Sequence, residues 1–183
     1  MGFSSGFPWM RSISFWKWRG RRADGGAARL YPNPEMNASN LANGNGTSYS
    51  VPVPPATFAT AFSNFSSWLG SASATNMSNM LSAQLAAMEL NVGCASLNPA
   101  LLVYAGTPPA SCNVSTLPQP PNAQGYMSVT NLMQDAVTEL GLNKNSVSGS
   151  PDRACQEFVK TTLDNADNGK NFVQPGPCPV VYP

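Results

Sequence analysis

The sequence predicts a small all-α domain, an irregular set of four helices with a long loop and an extended C-terminal tail, stapled by disulfide bonds. Three observations predict this class. Four segments place apolar side chains at helical spacing, glycine or proline punctuates the segments, and the cysteines form an even set of four. At 183 residues the chain has about the length of one domain, and we expect its ordered part over residues 56–183.

The first two predicted helices precede the long loop. In the first, apolar side chains recur at offsets 0, 3, 4, 7, 10 and 11 from Phe58, and Gly70 supplies the stop. The second is predicted from about Asn76 to Asn91, with methionine and leucine along one side. Thr75 or Asn76 is the expected N-terminal cap, because a short side-chain oxygen can accept a free backbone N–H there.

The last two predicted helices follow the loop. The third starts at Ser128 and ends before Gly141, and its apolar residues fit the helical template at every position. The fourth opens with Ser150 as the cap, Pro151 at the first helical position and an acid in the first turn. Gly169 is expected to close it.

The long loop and the tail are less regular. The loop runs from Gly93 to Gly125 and is interrupted by the apolar run from Leu101 to Tyr104, which is either a short strand or a buried extended segment. The tail, Phe172 to Pro183, is proline-rich and should be extended across the helices.

The polar residues of this chain are mostly uncharged. Only 10% of the residues are charged, against roughly 25% in an ordinary soluble domain, while Asn, Ser and Thr together number 49. Histidine is absent, which excludes Ser-His-Asp and Cys-His catalysis and histidine-ligated zinc or copper. We therefore expect a polar surface of Asn, Ser and Thr and no cofactor.

Positive charge is concentrated at the N-terminus. Residues 1–30 carry six basic side chains and one acid, and the rest of the chain carries four basic and eight acidic ones. Aromatic and basic residues interleave here, which suits a membrane interface or single-stranded nucleic acid, although disorder is the expected state of this segment. Residues 31–55 are predicted to be a polar linker, and no nucleic-acid binding is expected of the body. The candidate membrane or polyanion contacts are Trp16, Lys17, Trp18, Arg19, Arg21 and Arg22.

The cysteines favour an extracytoplasmic protein. They are even in number and form no C-x-x-C pair, so two disulfides are expected, and four unpaired buried thiols in a cytosolic protein are the alternative. Cys155 lies on the apolar stripe of the fourth helix, and a bond to Cys178 would pin the tail to it. A bond from Cys94 to Cys112 would close the proline-rich loop. We predict these two pairings, each stabilising by about 3 kcal/mol in the chain-entropy model.

Two further absences concern location. No run of about 20 apolar residues is present, so the sequence predicts no transmembrane helix. The N-terminus also shows no recognisable signal peptide, because an apolar stretch of the required length is missing.

Four strings occur in order along residues 72–183 and carry a resemblance. They are LSAQLAAMELNV (81–92), LLVYAGT (101–107), SGSPDRACQE (148–157) and NFVQPGPCP (171–179). Together they resemble the C-terminal module of large uncharacterised bacterial secreted or cell-surface proteins. The resemblance implies an extracellular context and assigns no catalytic residue.

Three carboxylates are the candidates for acid–base chemistry. Asp135 and Glu139 share one helix face at positions i and i+4, and Glu157 lies on the next helix. Carboxylates do acid–base work when two of them converge on a cleft. Solvated helix surface is nevertheless the expected place for them.

The end of the fourth helix is rich in side-chain oxygens of the kind that calcium prefers. The candidates are Asp164, Asp167 and Asn168. Ala166 falls where an EF-hand loop needs a ligand, so we expect no metal at this position.

Taken together, these features predict a non-catalytic structural or adhesive module of a secreted or cell-surface protein, with other domains of a larger surface protein as candidate partners. Two alternatives stay open. One is a carboxylate-dependent hydrolase, and the other is a membrane-binding basic segment carried by a folded domain.

Overall fold

The structure is a computed structural model that describes residues 38–50, 58–95 and 97–173. The predictions for the basic N-terminal segment, for Cys178 and for most of the tail lie outside these residues. The described elements, in chain order, are α1 (Phe58–Gly70), α2 (Met77–Ala95), β1 (Leu102–Tyr104), a 3-10 turn (Val114–Thr116), β2 (Tyr126–Ser128), α3 (Val129–Leu142), α4 (Arg153–Asp167) and β3 (Phe172–Val173).

All four predicted helices are present. The predicted start of α3 at Ser128 is confirmed to within one residue: the Ser128 hydroxyl caps the helix by accepting the Asn131 N–H at 3.1 Å, and the helix continues past Gly141 to Leu142. Asn76 caps α2 by accepting the Ser78 N–H at 3.0 Å. The predicted cap of the fourth helix is wrong: α4 begins at Arg153, whose N–H binds the Ser150 carbonyl, and Asp152 is the flanking residue.

The prediction of a purely all-α fold is wrong, because the described chain also contains a small antiparallel sheet. Strand β1 lies in the centre, with β2 on one side and β3 on the other. Val103 pairs with Met127 on β2 and with Phe172 on β3. Strands of two or three residues are too short to show alternation, so periodicity in the sequence does not reveal them.

Helix α2 is the central element and packs against α3 and α4, which also contact each other. Leu81, Leu85 and Met88 are fully buried in its core face. Several of its polar side chains are buried as well, and Ser78, Asn79 and Ser82 bond neighbouring segments: the Ser78 hydroxyl, for example, lies 2.8 Å from both the carbonyl oxygen of Asn143 and Gln156 Oε1, which share its proton. Part of the uncharged polar composition therefore lies inside the domain, and not on its surface.

Residues 41–49 form a hairpin that packs on α1 and α2. The Ala42 carbonyl accepts the side-chain N–H of Asn79 at 3.1 Å and of Trp68 at 3.3 Å. Tyr49 stacks on the Trp68 ring at a centroid distance of 4.0 Å, and Leu41 is buried in the core. This part of the segment predicted as linker therefore belongs to the domain.

The disulfide pairing predicted from the sequence is wrong. The structure joins Cys112 to Cys155, with their Cα atoms 4.5 Å apart, so neither the 94–112 nor the 155–178 bond forms. The physical reason is the path of the long loop, which crosses the core face of α4 before it reaches β2. Both half-cystines are buried.

Candidate functional site

The first candidate site is the carboxyl pair on α3. Asp135 and Glu139 are 0% and 1% exposed, so the expectation of solvated helix surface is wrong for both. Asp135 Oδ1 accepts the backbone N–H of Gln119 at 2.8 Å, and Glu139 Oε1 accepts the Thr116 hydroxyl at 2.6 Å. Both donors belong to the loop segment 113–119, which covers this face of α3.

Burial sets the electrostatics of this pair. It raises the pKa of Asp135 to about 6, although the Gln119 N–H acts in the opposite direction. Burial also raises the pKa of Glu139, and the negative charges of Asp152 and Asp135 raise it further, while the Thr116 hydrogen bond lowers it. One oxygen of each carboxyl, Asp135 Oδ2 and Glu139 Oε2, is buried without a hydrogen-bond partner. Burial therefore favours the protonated form of both carboxyls, and solvent does not reach either of them.

The third candidate acid, Glu157, lies elsewhere, in an open groove. One wall of this groove is the end of β1 with the loop that follows it, and the other wall is the outer face of α4. Its volume is about 390 Å³, within the range of about 300–1,000 Å³ that is usual for ligand pockets. The side chains that line it include Tyr104, Pro109, Ser111, Glu157, Phe158, Thr161 and Asn165.

Two cross-links hold the walls of the groove together. At one end the disulfide joins Cys112 to Cys155, and each of these cysteines directly follows a lining residue, Ser111 or Ala154. At the other end the Asn171 side-chain amide donates to the carbonyls of Tyr104 and Thr162, both at 3.1 Å. The separation of β1 from α4 is therefore fixed at both ends.

The three candidate acids do not meet in one site. The structure brings Asp135 and Glu139 together, but beneath the loop, and neither of them lines the groove. Glu157 is the one carboxylate among the groove's lining residues. Two acids flanking an accessible cleft, the arrangement that carboxylate-dependent hydrolysis needs, are not formed by these three residues.

At the oxygen-rich end of α4, Asp164 and Asp167 each accept a protein donor, and the second oxygen of Asp167 is buried without a partner. Asp167 Oδ1 accepts the Asn91 amide at 2.9 Å, and the Asn168 amide donates to the carbonyl and the carboxylate of Asp164. Burial raises the pKa of Asp167 well above its usual value; the Asn91 bond lowers it and the Asp164 charge raises it. Within the described ranges no three His, Cys, Asp or Glu residues group in a way that could hold a metal ion.

Sequence reasoning did not identify the groove. Its residues come from the end of β1, from the proline-rich loop and from α4, which are separated by up to about sixty positions in the chain. The one local signal is the spacing of Glu157, Thr161 and Asn165, which repeats every four residues and places them on one helix face. The predicted contacts at Trp16 to Arg22 lie outside the described residues.

Comparison with known proteins adds no relationship. The chain matches no protein-family model, no curated protein and no solved structure at a significant level. In the part of the chain that the structure describes, no helix is both long and apolar enough to cross a membrane.

Proposed function

We propose that this protein is a non-catalytic structural or adhesive module of a secreted or cell-surface protein. The observation that carries the proposal is the Cys112–Cys155 disulfide, which is buried and joins the long loop to α4. Disulfides of this structural kind form and persist in oxidising compartments and are rare in the cytosol.

The placement of the carboxylates supports the non-catalytic part of the proposal. A general acid or base must come within hydrogen-bond reach of a substrate proton, directly or through one water. Asp135 and Glu139 are closed off by the loop segment 113–119, and their other oxygens have almost no accessible surface. Glu157 faces solvent without a second acid in the groove.

The composition supports an extracellular scaffold as well. Few of the residues are charged, and buried polar side chains form hydrogen bonds between neighbouring segments. Asn76 is the clearest case: its amide donates to the carbonyls of Gly44 and Lys144, and its carbonyl oxygen accepts the N–H groups of Ser78 and Ser146. A domain cross-linked in this way is suited to holding a fixed shape.

Surface labelling tests the location. Intact cells that make the protein are treated with an impermeant biotin reagent, and the culture medium is analysed in parallel. We expect the chain in the medium or in the biotinylated fraction. A cytosolic protein of the same cells is the control, and recovery of the chain only with that control contradicts the proposal.

A substrate panel tests the absence of catalysis. The oxidised full chain is incubated with ester, glycoside and peptide substrates, and we expect no turnover above the buffer rate. Any turnover is then repeated with Asp135→Asn, Glu139→Gln and Glu157→Gln. Reproducible turnover overturns the proposal, and its loss in one of these variants identifies the carboxylate-dependent hydrolase.

A further inference from the structure

The open groove between β1 and α4 places an exposed aromatic ring opposite a row of polar side chains. We propose that it binds a neutral oligosaccharide, with Tyr104 as the platform for a sugar ring and Glu157, Thr161 and Asn165 as a row of hydrogen-bonding groups. The inference rests on the adhesive form of the proposed function, and it assigns the surface and the ligand class that adhesion would use.

The first step is the position of the Tyr104 ring. The side chain is 51% exposed, although it belongs to the central strand of the sheet. Its ring contacts the Tyr126 ring on the paired strand, with centroids 5.3 Å apart and planes inclined at 60°. An exposed aromatic ring offers an apolar face on which the C–H face of a pyranose can pack.

Two glycines lie beside this ring. Gly125 has a φ of +83°, and a Cβ atom there would come within 3.0 Å of Tyr104 Cε2, so a larger residue would displace the ring. Gly106 has a φ of +77°, and a Cβ atom there would lie at an ordinary contact distance of 4.0 Å from the same ring. The close approach of Gly125 and the contact with Tyr126 limit the positions open to the ring, which lowers the entropy lost on binding.

The second step is the row of polar groups on α4. Glu157, Thr161 and Asn165 follow one another at intervals of four residues, so successive groups are about 6 Å apart along the helix axis. This interval is close to the length of one pyranose unit in a linear chain. The carboxylate accepts hydrogen bonds, and the hydroxyl and the amide both donate and accept them. Such a mixture matches sugar hydroxyls, which are donors and acceptors at once.

The third step is charge. The lining of the groove contains no lysine and no arginine, and its one charged side chain is Glu157. Phosphate, sulfate and uronate groups need cationic partners, which this lining does not offer. Phe158 and Pro109 add apolar surface between the polar groups. The lining thus favours a neutral ligand with both apolar faces and hydroxyl groups.

The test uses the oxidised full chain and three soluble probes: cellohexaose, chitohexaose and mannohexaose. Titration calorimetry measures affinity, and amide chemical shifts map the contact surface. We expect at least one probe to bind, with shifts at Ser111, Thr161 and Asn165. Heparin is the anionic comparison. Because Trp16 to Arg22 are candidate polyanion contacts in the same chain, heparin is scored only by the amide shifts of the groove, and we expect it to shift Ser111, Thr161 and Asn165 less than the best neutral probe does.

Variants assign the binding to the groove. Tyr104→Ala should weaken it about tenfold or more, whereas Tyr104→Phe, which keeps the ring, should leave it within about twofold. Asn165→Ala, on the opposite wall, should weaken it several-fold. Leu142→Ala is the matched control, because Leu142 is an exposed apolar residue, 57% accessible, that does not line the groove. The Cys112–Cys155 bond and the circular dichroism spectrum of every variant are checked first.

Three results would overturn the inference: no binding of any neutral probe, binding that Tyr104→Ala and Asn165→Ala leave unchanged, or heparin shifts at Ser111, Thr161 and Asn165 that exceed those of every neutral probe. Each of them leaves the proposed function standing if the chain is still exported and shows no turnover. Conversely, a cytosolic chain or measured turnover removes the proposed function, whatever the probes show.

Discussion

Replacement of Asp135 by asparagine should stabilise the domain at alkaline pH. The change keeps the oxygen that accepts the Gln119 N–H and replaces the buried oxygen that has no partner by a neutral amide. It also removes one of the negative charges that raise the pKa of Glu139. The variant therefore loses an ionisable group whose charged form the interior disfavours.

The magnitude follows from the shift in the pKa of Asp135. Burial raises this pKa from 3.8 to about 6 in the folded chain. Between these two values the folded state binds more protons than the unfolded state, so the free energy of unfolding falls as the pH rises. The stabilising contribution is complete below about pH 4 and is lost as the pH rises through about 6. The shift corresponds to about 3 kcal/mol in the free energy of unfolding.

Urea unfolding at pH 4.5, 6 and 8 measures this contribution. We expect Asp135→Asn to be more stable than the parent chain by about 2–3 kcal/mol at pH 8, with most of the difference gone at pH 4.5. The control is Glu157→Gln, which makes the same acid-to-amide change on an exposed side chain of α4. A variant that is no more stable at pH 8, or whose gain is the same at all three pH values, would refute the account of the buried pair.

Three further predictions concern stability. The double variant Cys112→Ala/Cys155→Ala removes a link across 43 positions, and in the chain-entropy model it should lower the free energy of unfolding by about 4 kcal/mol, measured by urea unfolding against the oxidised parent. Asn76→Ala should cost about 3 kcal/mol, because it removes a helix cap and leaves buried backbone groups without partners; Asn45→Ala, which breaks only exposed bonds within its own turn, should cost less than 1 kcal/mol in the same assay. Thermal melting in calcium and in EDTA should give equal midpoints, because Asp164 and Asp167 already accept protein donors; a midpoint raised by calcium would contradict this.

The helices could be predicted from the sequence because each repeats its apolar residues at a local spacing. The start of the third helix at Ser128 could be predicted because a short polar residue directly precedes an apolar stripe. The apolar run from Leu101 to Tyr104 was also visible, but a three-residue strand cannot be distinguished from a buried extended segment by pattern alone. Its pairing with β2 and β3 depends on residues far along the chain.

Three of the features that could not be predicted depend on the path of the long loop. Pairing Cys112 with Cys155 requires the loop to cross α4, whereas loop-closure reasoning favours partners nearer in sequence. The same loop covers Asp135 and Glu139. Their spacing on one helix face predicted side chains exposed to solvent, whereas the loop buries both of them. The groove is a further product of this path, since Ala105, Pro109 and Ser111 of that loop line one of its walls.

The central claim is that the chain folds around the Cys112–Cys155 bond in an oxidising compartment. The most direct measurement traps thiols with iodoacetamide in cells that make the protein, before lysis, and maps the peptides without reduction. The account predicts that the peptide containing Cys112 is linked to the peptide containing Cys155. Alkylated, unlinked cysteines at both positions, or links from Cys94 to Cys112 and from Cys155 to Cys178, would contradict it.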